Sequence, residues 1–134
     1  MAPDRGEHLK QALEMLQKAV NLSPRSGAIL DSLGWARYRN GDYRQAVRDL
    51  ERAVLLEPSD PDINDHLGDA YFRTGRKLEA EFQWRRVLTL DPSDAIRTAI
   101  DTKLKDGLGP APPIKPVPAP GGVTAQGPTG GERG

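Results

Sequence analysis

Residues 26–59, SGAILDSLGWARYRNGDYRQAVRDLERAVLLEPS, run directly into residues 60–93, DPDINDHLGDAYFRTGRKLEAEFQWRRVLTLDPS. Laid over one another without a gap, the two strings are identical at 12 of 34 positions. The identities fall at structurally telling places: Leu33-Gly34 on Leu67-Gly68, Gly41 on Gly75, Ala46 on Ala80, and Pro58-Ser59 on Pro92-Ser93. A fixed period of this length is the mark of a stacked array in which each unit buries its apolar face on its neighbours.

The punctuation inside the period predicts helices. Ser26, Asp60 and Asp94 stand 34 residues apart, and all are residue types that cap a helix N-terminus. Pro24, Pro58 and Pro92 stand two residues before each cap and end the preceding helix. Asn40-Gly41-Asp42 and Thr74-Gly75-Arg76 are turn signals at the same phase. Each unit therefore reads as helix, turn, helix, with first helices over 27–39 and 61–73 and second helices over 43–56 and 77–90. Gly34 and Gly68 lie mid-helix, where glycine costs about 1 kcal/mol against alanine. They imply close approach of the paired helix, with Ala46 and Ala80 as the expected small residues opposite. Trp84 falls in phase with Leu50, and both it and Phe82 are expected in the core.

The ends of the array differ. Residues 9–22 repeat the second-helix pattern, since Ala12, Leu16, Ala19 and Pro24 precede Ala46, Leu50, Ala53 and Pro58 by 34. The first helix that would precede them is missing from the pattern, so residues 7–25 read as half a repeat. Some of Leu9, Leu13, Leu16 and Val20 should then be exposed, which allows self-association through helix 7–22 or a longer array upstream. At the other end Ile96, Ile100 and Leu104 recur every four residues and Gly107 follows. Residues 94–107 thus read as a capping helix with Arg97, Asp101 and Lys105 outward. Residues 1–6 read as a disordered N-terminus. From 108 to 134 the chain is rich in proline and glycine, with 7 of each in the last 26 residues, and reads as a disordered tail, extended near Pro110–Pro120. Pro110-Ala-Pro-Pro113 and Pro113-Ile-Lys-Pro116 match a loose proline-rich ligand pattern, and a plain spacer is the simpler reading.

Composition narrows the function. Nineteen lysines and arginines balance nineteen aspartates and glutamates, so the chain lacks the cationic excess of a general nucleic-acid or anionic-membrane binder. There is no cysteine, which rules out disulfides and thiolate metal sites. No apolar run is long enough to span a bilayer, and residues 1–8 lack the apolar core of an export signal. The default expectation is cytoplasmic. A periplasmic or envelope location is expected instead if the chain is a piece of an exported protein. His8 and His66 are isolated, and no phosphate loop, nucleophile elbow, zinc-helix motif or dinucleotide fingerprint is present. No catalytic residue, cofactor or metal is expected.

Leu33-Gly34, Tyr38, Gly41, Tyr43, Ala46, Leu50, Ala53 and Pro58 together resemble the tetratricopeptide repeat. Leu67-Gly68, Tyr71, Gly75, Ala80, Trp84 and Pro92 repeat the match. The second unit departs from the family pattern at Lys77, where an aromatic is usual, and at Val87, where alanine is usual. The strings Asp31–Trp35, Ile63–Asp69 and Phe82–Arg86 look like the C-terminal repeats of longer bacterial members. The resemblance implies an all-α solenoid of helical hairpins that binds another protein along a groove lined by the first helix of each pair, and catalyses nothing.

Carried over position by position, the partner-binding stripe would hold Ala28, Asp31, Trp35, Tyr38 and Arg39, then Asp62, Asp65, Asp69, Phe72 and Arg73. Helical periodicity independently puts 28, 31, 35 and 38 on one face, and likewise 62, 65, 69 and 72. Aromatics and arginine are common interface anchors, and the four aspartates would favour a basic or amide-rich segment. They stand where members that grip a C-terminal carboxylate need cations and asparagine, so that mode is not expected. Two alternatives are a targeting arm of a larger enzyme or export factor and a helical-repeat RNA binder. The second wants cations where this stripe has aspartates.

Overall fold

The computed structural model describes residues 5–114 and 116–118, and among these there are six helices and no strand. They are α1 (Arg5–Leu22), α2 (Gly27–Arg39), α3 (Tyr43–Leu56), α4 (Pro61–Arg73), α5 (Lys77–Leu88) and α6 (Asp94–Asp106). Each helix packs on the next in the chain, and α4 also touches α2. The architecture is therefore a one-dimensional stack of helical hairpins, as the 34-residue period requires.

The caps explain why the helices start where they do. Ser26 accepts from the Ile29 N–H at 3.2 Å, and Asp60 accepts from the Ile63 N–H at 3.1 Å. At α6 the capping side chain is Ser93, which accepts from the Ile96 N–H at 3.2 Å, one residue before the expected Asp94. The shift follows from the preceding loop. α5 ends at Leu88, two residues short of the expected 90, where Thr89 donates its hydroxyl to the Arg86 carbonyl at 2.7 Å. Asp91 then adopts a positive φ of 54°, and Pro92 sets up the new start. Gly41 (φ 82°) and Gly75 (φ 83°) make the two hairpin turns, where a side chain would be strained.

Two apolar clusters form the core. One gathers Ala46, Leu50, Leu67, Ala70, Trp84, Val87 and Ile100 between α3, α4, α5 and α6. The other gathers Leu13, Val20, Leu30, Leu33, Ala53 and Ile63 between α1, α2, α3 and α4. The residue opposite each mid-helix glycine differs from expectation. A Cβ on Gly34 would lie 2.8 Å from Leu50 Cγ, and one on Gly68 would lie 2.5 Å from Trp84 Cδ1 and Nε1. The glycines thus admit the in-phase large residues Leu50 and Trp84. Ala46 and Ala80 are fully buried in the same cluster.

Phe82 is 64% exposed, contrary to its expected place in the core. Its neighbours Ala80, Trp84 and Val87 share the buried face of α5, and a residue two positions from Trp84 points away from that face. On α1, Leu13 and Val20 are buried against α2, Leu9 and Leu16 are half-covered, and Met15 and Leu22 are exposed. α1 also begins at Arg5, slightly before the expected start. Residues 108–114 and 116–118 have no regular secondary structure but lie against the ends of α4 and α2. The rest of the expected tail, 119–134, and residues 1–4 lie outside the described residues.

Candidate functional site

The first helices α2 and α4 are neighbours, and α6 joins them by reaching Lys103 across to α4. Lys103 Nζ lies 2.8 Å from Asp65 Oδ1 and 3.0 Å from Asp69 Oδ1. Asp69 Oδ1 also accepts from the Trp84 indole N–H at 3.1 Å. Burial works against the charge on Lys103, but Asp69 and Asp65 outweigh it and raise the ammonium above its ordinary range. Asp69 is itself raised, chiefly by burial and also by the charge of Asp65, with Lys103 opposing. Two of the four stripe aspartates are thus held by an internal cation.

Asp31 is held by His66, whose Nδ1 lies 2.8 Å from Asp31 Oδ1. The imidazole stacks on Trp35 with ring centroids 4.0 Å apart, and Trp35 stacks on Tyr38 at 4.4 Å. Tyr43 meets the Tyr38 edge at 5.2 Å. Three flat rings therefore form one stack joining α2 to α4. Trp35 is only partly buried and belongs to neither apolar cluster.

Burial lowers the His66 pKa, but the hydrogen bond to Asp31 and the charges of Asp31, Asp65 and Asp69 outweigh it and raise it above 6.5. The protonated His66–Asp31 pair then contributes its full stability below pH 6.5, and that contribution is lost as pH rises through the raised value. Proton NMR titration of the ring is expected to give a pKa above 6.5, and His66→Gln is expected to remove this part of the pH dependence of melting.

The remaining stripe residues divide. Phe72 sits 5.8 Å from Trp84, centroid to centroid, and borders the buried cluster. Arg73 Nε donates to the Tyr38 hydroxyl at 3.3 Å, and its Nη1 donates to the Gly109 carbonyl. Burial raises the Tyr38 phenol, while Arg73 pulls it down. Ala28 is exposed, and Arg39 and Asp62 are at least partly open. Asp31 and Trp35 meet His66, Tyr38 stacks on Trp35, and Arg73 joins the row at the Tyr38 hydroxyl. Asp65 and Asp69 form a separate group around Lys103, and Arg39 and Asp62 stand apart.

Three participants were not legible as such in the sequence. Lys103 reads as a last-turn cation of α6 that favours the helix dipole. His66 reads as isolated, because its partner Asp31 lies one repeat away. Asn40 reads only as a turn residue, yet its side chain is buried and bonds to the Val117 main chain. Arg37 supplies a further tie beneath the face, with Nε 2.8 Å from Asp49 Oδ2 and Nη2 donating to Gln17 Oε1 at 3.0 Å. That network locks α1, α2 and α3 together. Burial raises the Asp49 carboxyl, and the Arg37 charge opposes the rise.

Comparison with known proteins agrees with the period and the helix pairs. Residues 32–95 match the tetratricopeptide repeat family. Residues 32–95 are thus tetratricopeptide repeats. Among solved structures it is similar to the translocator chaperone SycD of type III secretion in Yersinia enterocolitica, at 17% identity and a TM-score of 0.70, covering 74% of this chain and 71% of that one. It is similar to TTC0263, a thermophilic tetratricopeptide protein of Thermus thermophilus, at 30% identity and a TM-score of 0.67. That match covers 78% of this chain and 55% of the Thermus chain. It is also similar to PcrH, solved in complex with the chaperone binding region of PopD, at 18% identity and a TM-score of 0.68, with 74% of this chain and 77% of that one covered. No curated protein sequence matches the chain. No helix among the described residues is long and apolar enough to cross a membrane.

Proposed function

We propose that this chain is a non-catalytic docking module that receives a segment of another protein on the face of α2 and α4. The observation that carries this reading is the Tyr38–Trp35–His66 stack. A tryptophan held between two rings, half-open and outside the core, loses little entropy when a partner docks along its exposed edge. The family fold supports a scaffold, and the PcrH complex is a structural relative bound to a partner's segment.

The preference for a basic or amide-rich partner narrows to fewer residues. Lys103 already neutralises part of Asp65 and Asp69, so the acidic character offered to a partner rests on Asp62 and on Asp31 beside His66. Self-association through α1 has less to draw on, since Leu13 and Val20 are spent on α2 and only Met15 and Leu22 stand well clear. A partner of a different sequence is therefore favoured over a second copy.

The test is to pan the chain against a random dodecapeptide display library and to measure the selected peptides on Trp35→Ala. Affinity is expected to fall at least tenfold while circular dichroism stays helical, about 1.4 kcal/mol of binding energy. Selected peptides that bind Trp35→Ala as tightly as the parent chain would place the working surface elsewhere.

A further inference from the structure

The segment after α6 does not leave the molecule. It turns back across the ends of α4 and α2, against the order of the repeats. The Gly109 carbonyl accepts from Arg73 Nη1 at 2.6 Å, and Ile114 packs over Gly41, whose Cβ position would be 3.6 Å from the Ile114 side chain. The Asn40 side chain then engages both main-chain groups of Val117. Its Oδ1 accepts from the Val117 N–H at 2.8 Å, and its Nδ2 donates to the Val117 carbonyl at 3.4 Å. The Val117 side chain meets the α1–α2 cluster.

These contacts select a definite kind of ligand. Among the described residues, they read main-chain groups and branched apolar side chains. Pro116 and Pro118 flank Val117, so its N–H is the single main-chain donor over those three residues, and Asn40 takes it. Prolines also hold such a segment extended in advance, which lowers the entropy lost on docking. The second turn is a built-in contrast. Gly75, in phase with Gly41, faces open space, and Thr74, in phase with Asn40, donates its hydroxyl to its own helix at the Tyr71 carbonyl.

We propose that Asn40, Gly41 and Arg73 form a docking site for an extended, proline-flanked segment centred on a branched apolar residue, and that residues 107–114 and 116–118 are its resident ligand. A partner segment of the same kind must displace this one, so the chain's own tail sets a threshold for binding. The partner half rests on the docking-module reading above, while the resident half stands without it.

The probe is a fluorescent synthetic peptide of residues 107–118, titrated into the full chain and into a full-length Ile114→Ser/Val117→Pro variant. The first change removes the cover on Gly41, and the second removes the N–H that Asn40 accepts. The released variant is expected to bind the peptide at least tenfold more tightly than the parent chain. A peptide carrying Val117→Pro is expected to lose that gain, and this control leaves the protein's fold untouched. Equal affinity of parent and released chains overturns the proposal, as does full binding of the altered peptide. A parent chain that sediments as a dimer and a released chain that sediments as a monomer would put the segment on a second copy and overturn it as well. Persistence of Trp35-dependent binding of library peptides after such a result would leave the docking face standing and remove only the resident ligand.

Discussion

Gly68→Ala is expected to lower the stability of the chain by about 2–3 kcal/mol, near the upper end for overpacking. By helix propensity alone the change should stabilise by about 1 kcal/mol, so the sign of the result separates local from tertiary control. The added Cβ would lie 2.5 Å from two atoms of the Trp84 indole. An indole is rigid and this one is buried, so it cannot yield without moving the face it rests on. Its N–H also donates to Asp69, so displacement strains the bond at the Lys103 group too. Gly34→Ala is the internal comparison. Its Cβ would meet Leu50 Cγ at 2.8 Å, but Leu50 has two rotatable side-chain bonds, and the cost is expected to be smaller. Urea unfolding followed by circular dichroism measures both. Equal costs at the two glycines, or a stabilised Gly68→Ala, would show that the helix pairs do not press together at these points.

The legibility of the sequence divides along a physical line. What repeats locally can be read: the Ser26 and Asp60 caps, the Gly41 and Gly75 turns, and the burial of Leu33, Leu67 and Trp84 all follow from period and residue type. What depends on a contact across elements cannot. Phe82 and Trp84 are both aromatic and only two residues apart, and the phase of the α5 face decides that the first is exposed and the second buried. His66 finds Asp31, and Lys103 finds Asp65 and Asp69, across separations of 34 to 38 residues. The sequence contains these residues without ranking them above other solvated charges. Asn40 is a further case, because a turn asparagine and a main-chain clamp have the same sequence signature until residues 107–114 and 116–118 are placed.

The pairing also changes what the acidic stripe means. Four aspartates on a free helix face would project one sign of charge toward a partner. With Lys103 against two of them and His66 against a third, much of that charge joins first helices and α6 to one another. On the docking reading proposed above, the face would offer an aromatic stack with a modest acidic rim, and would suit apolar and main-chain recognition better than a strongly basic peptide.

Lys103→Met should be the costliest change on this face. Methionine keeps the apolar stem that crosses α4 and removes the cation, leaving Asp65 and Asp69 to face each other without it. Breaking one side of a buried charge group costs about 3–5 kcal/mol, and the lower figure applies here because all three side chains keep some solvent access. The pH dependence gives the cause away. In the parent chain Lys103 has a raised pKa, so its contribution is present at neutral pH and is lost only as alkaline pH passes the raised value. In the variant the cation no longer offsets burial, and the Asp69 carboxyl, already raised, rises further. Its folded form then binds a proton more readily than its unfolded form, so stability grows as pH falls through the raised value. The deficit of Lys103→Met against the parent should therefore be largest near pH 7 and shrink toward about pH 4, as the buried carboxyl is neutralised. Paired urea unfolding curves at the two pH values measure this. A deficit that stays the same at both would mean that lost packing of the lysine stem, and not an uncompensated carboxylate, accounts for the cost.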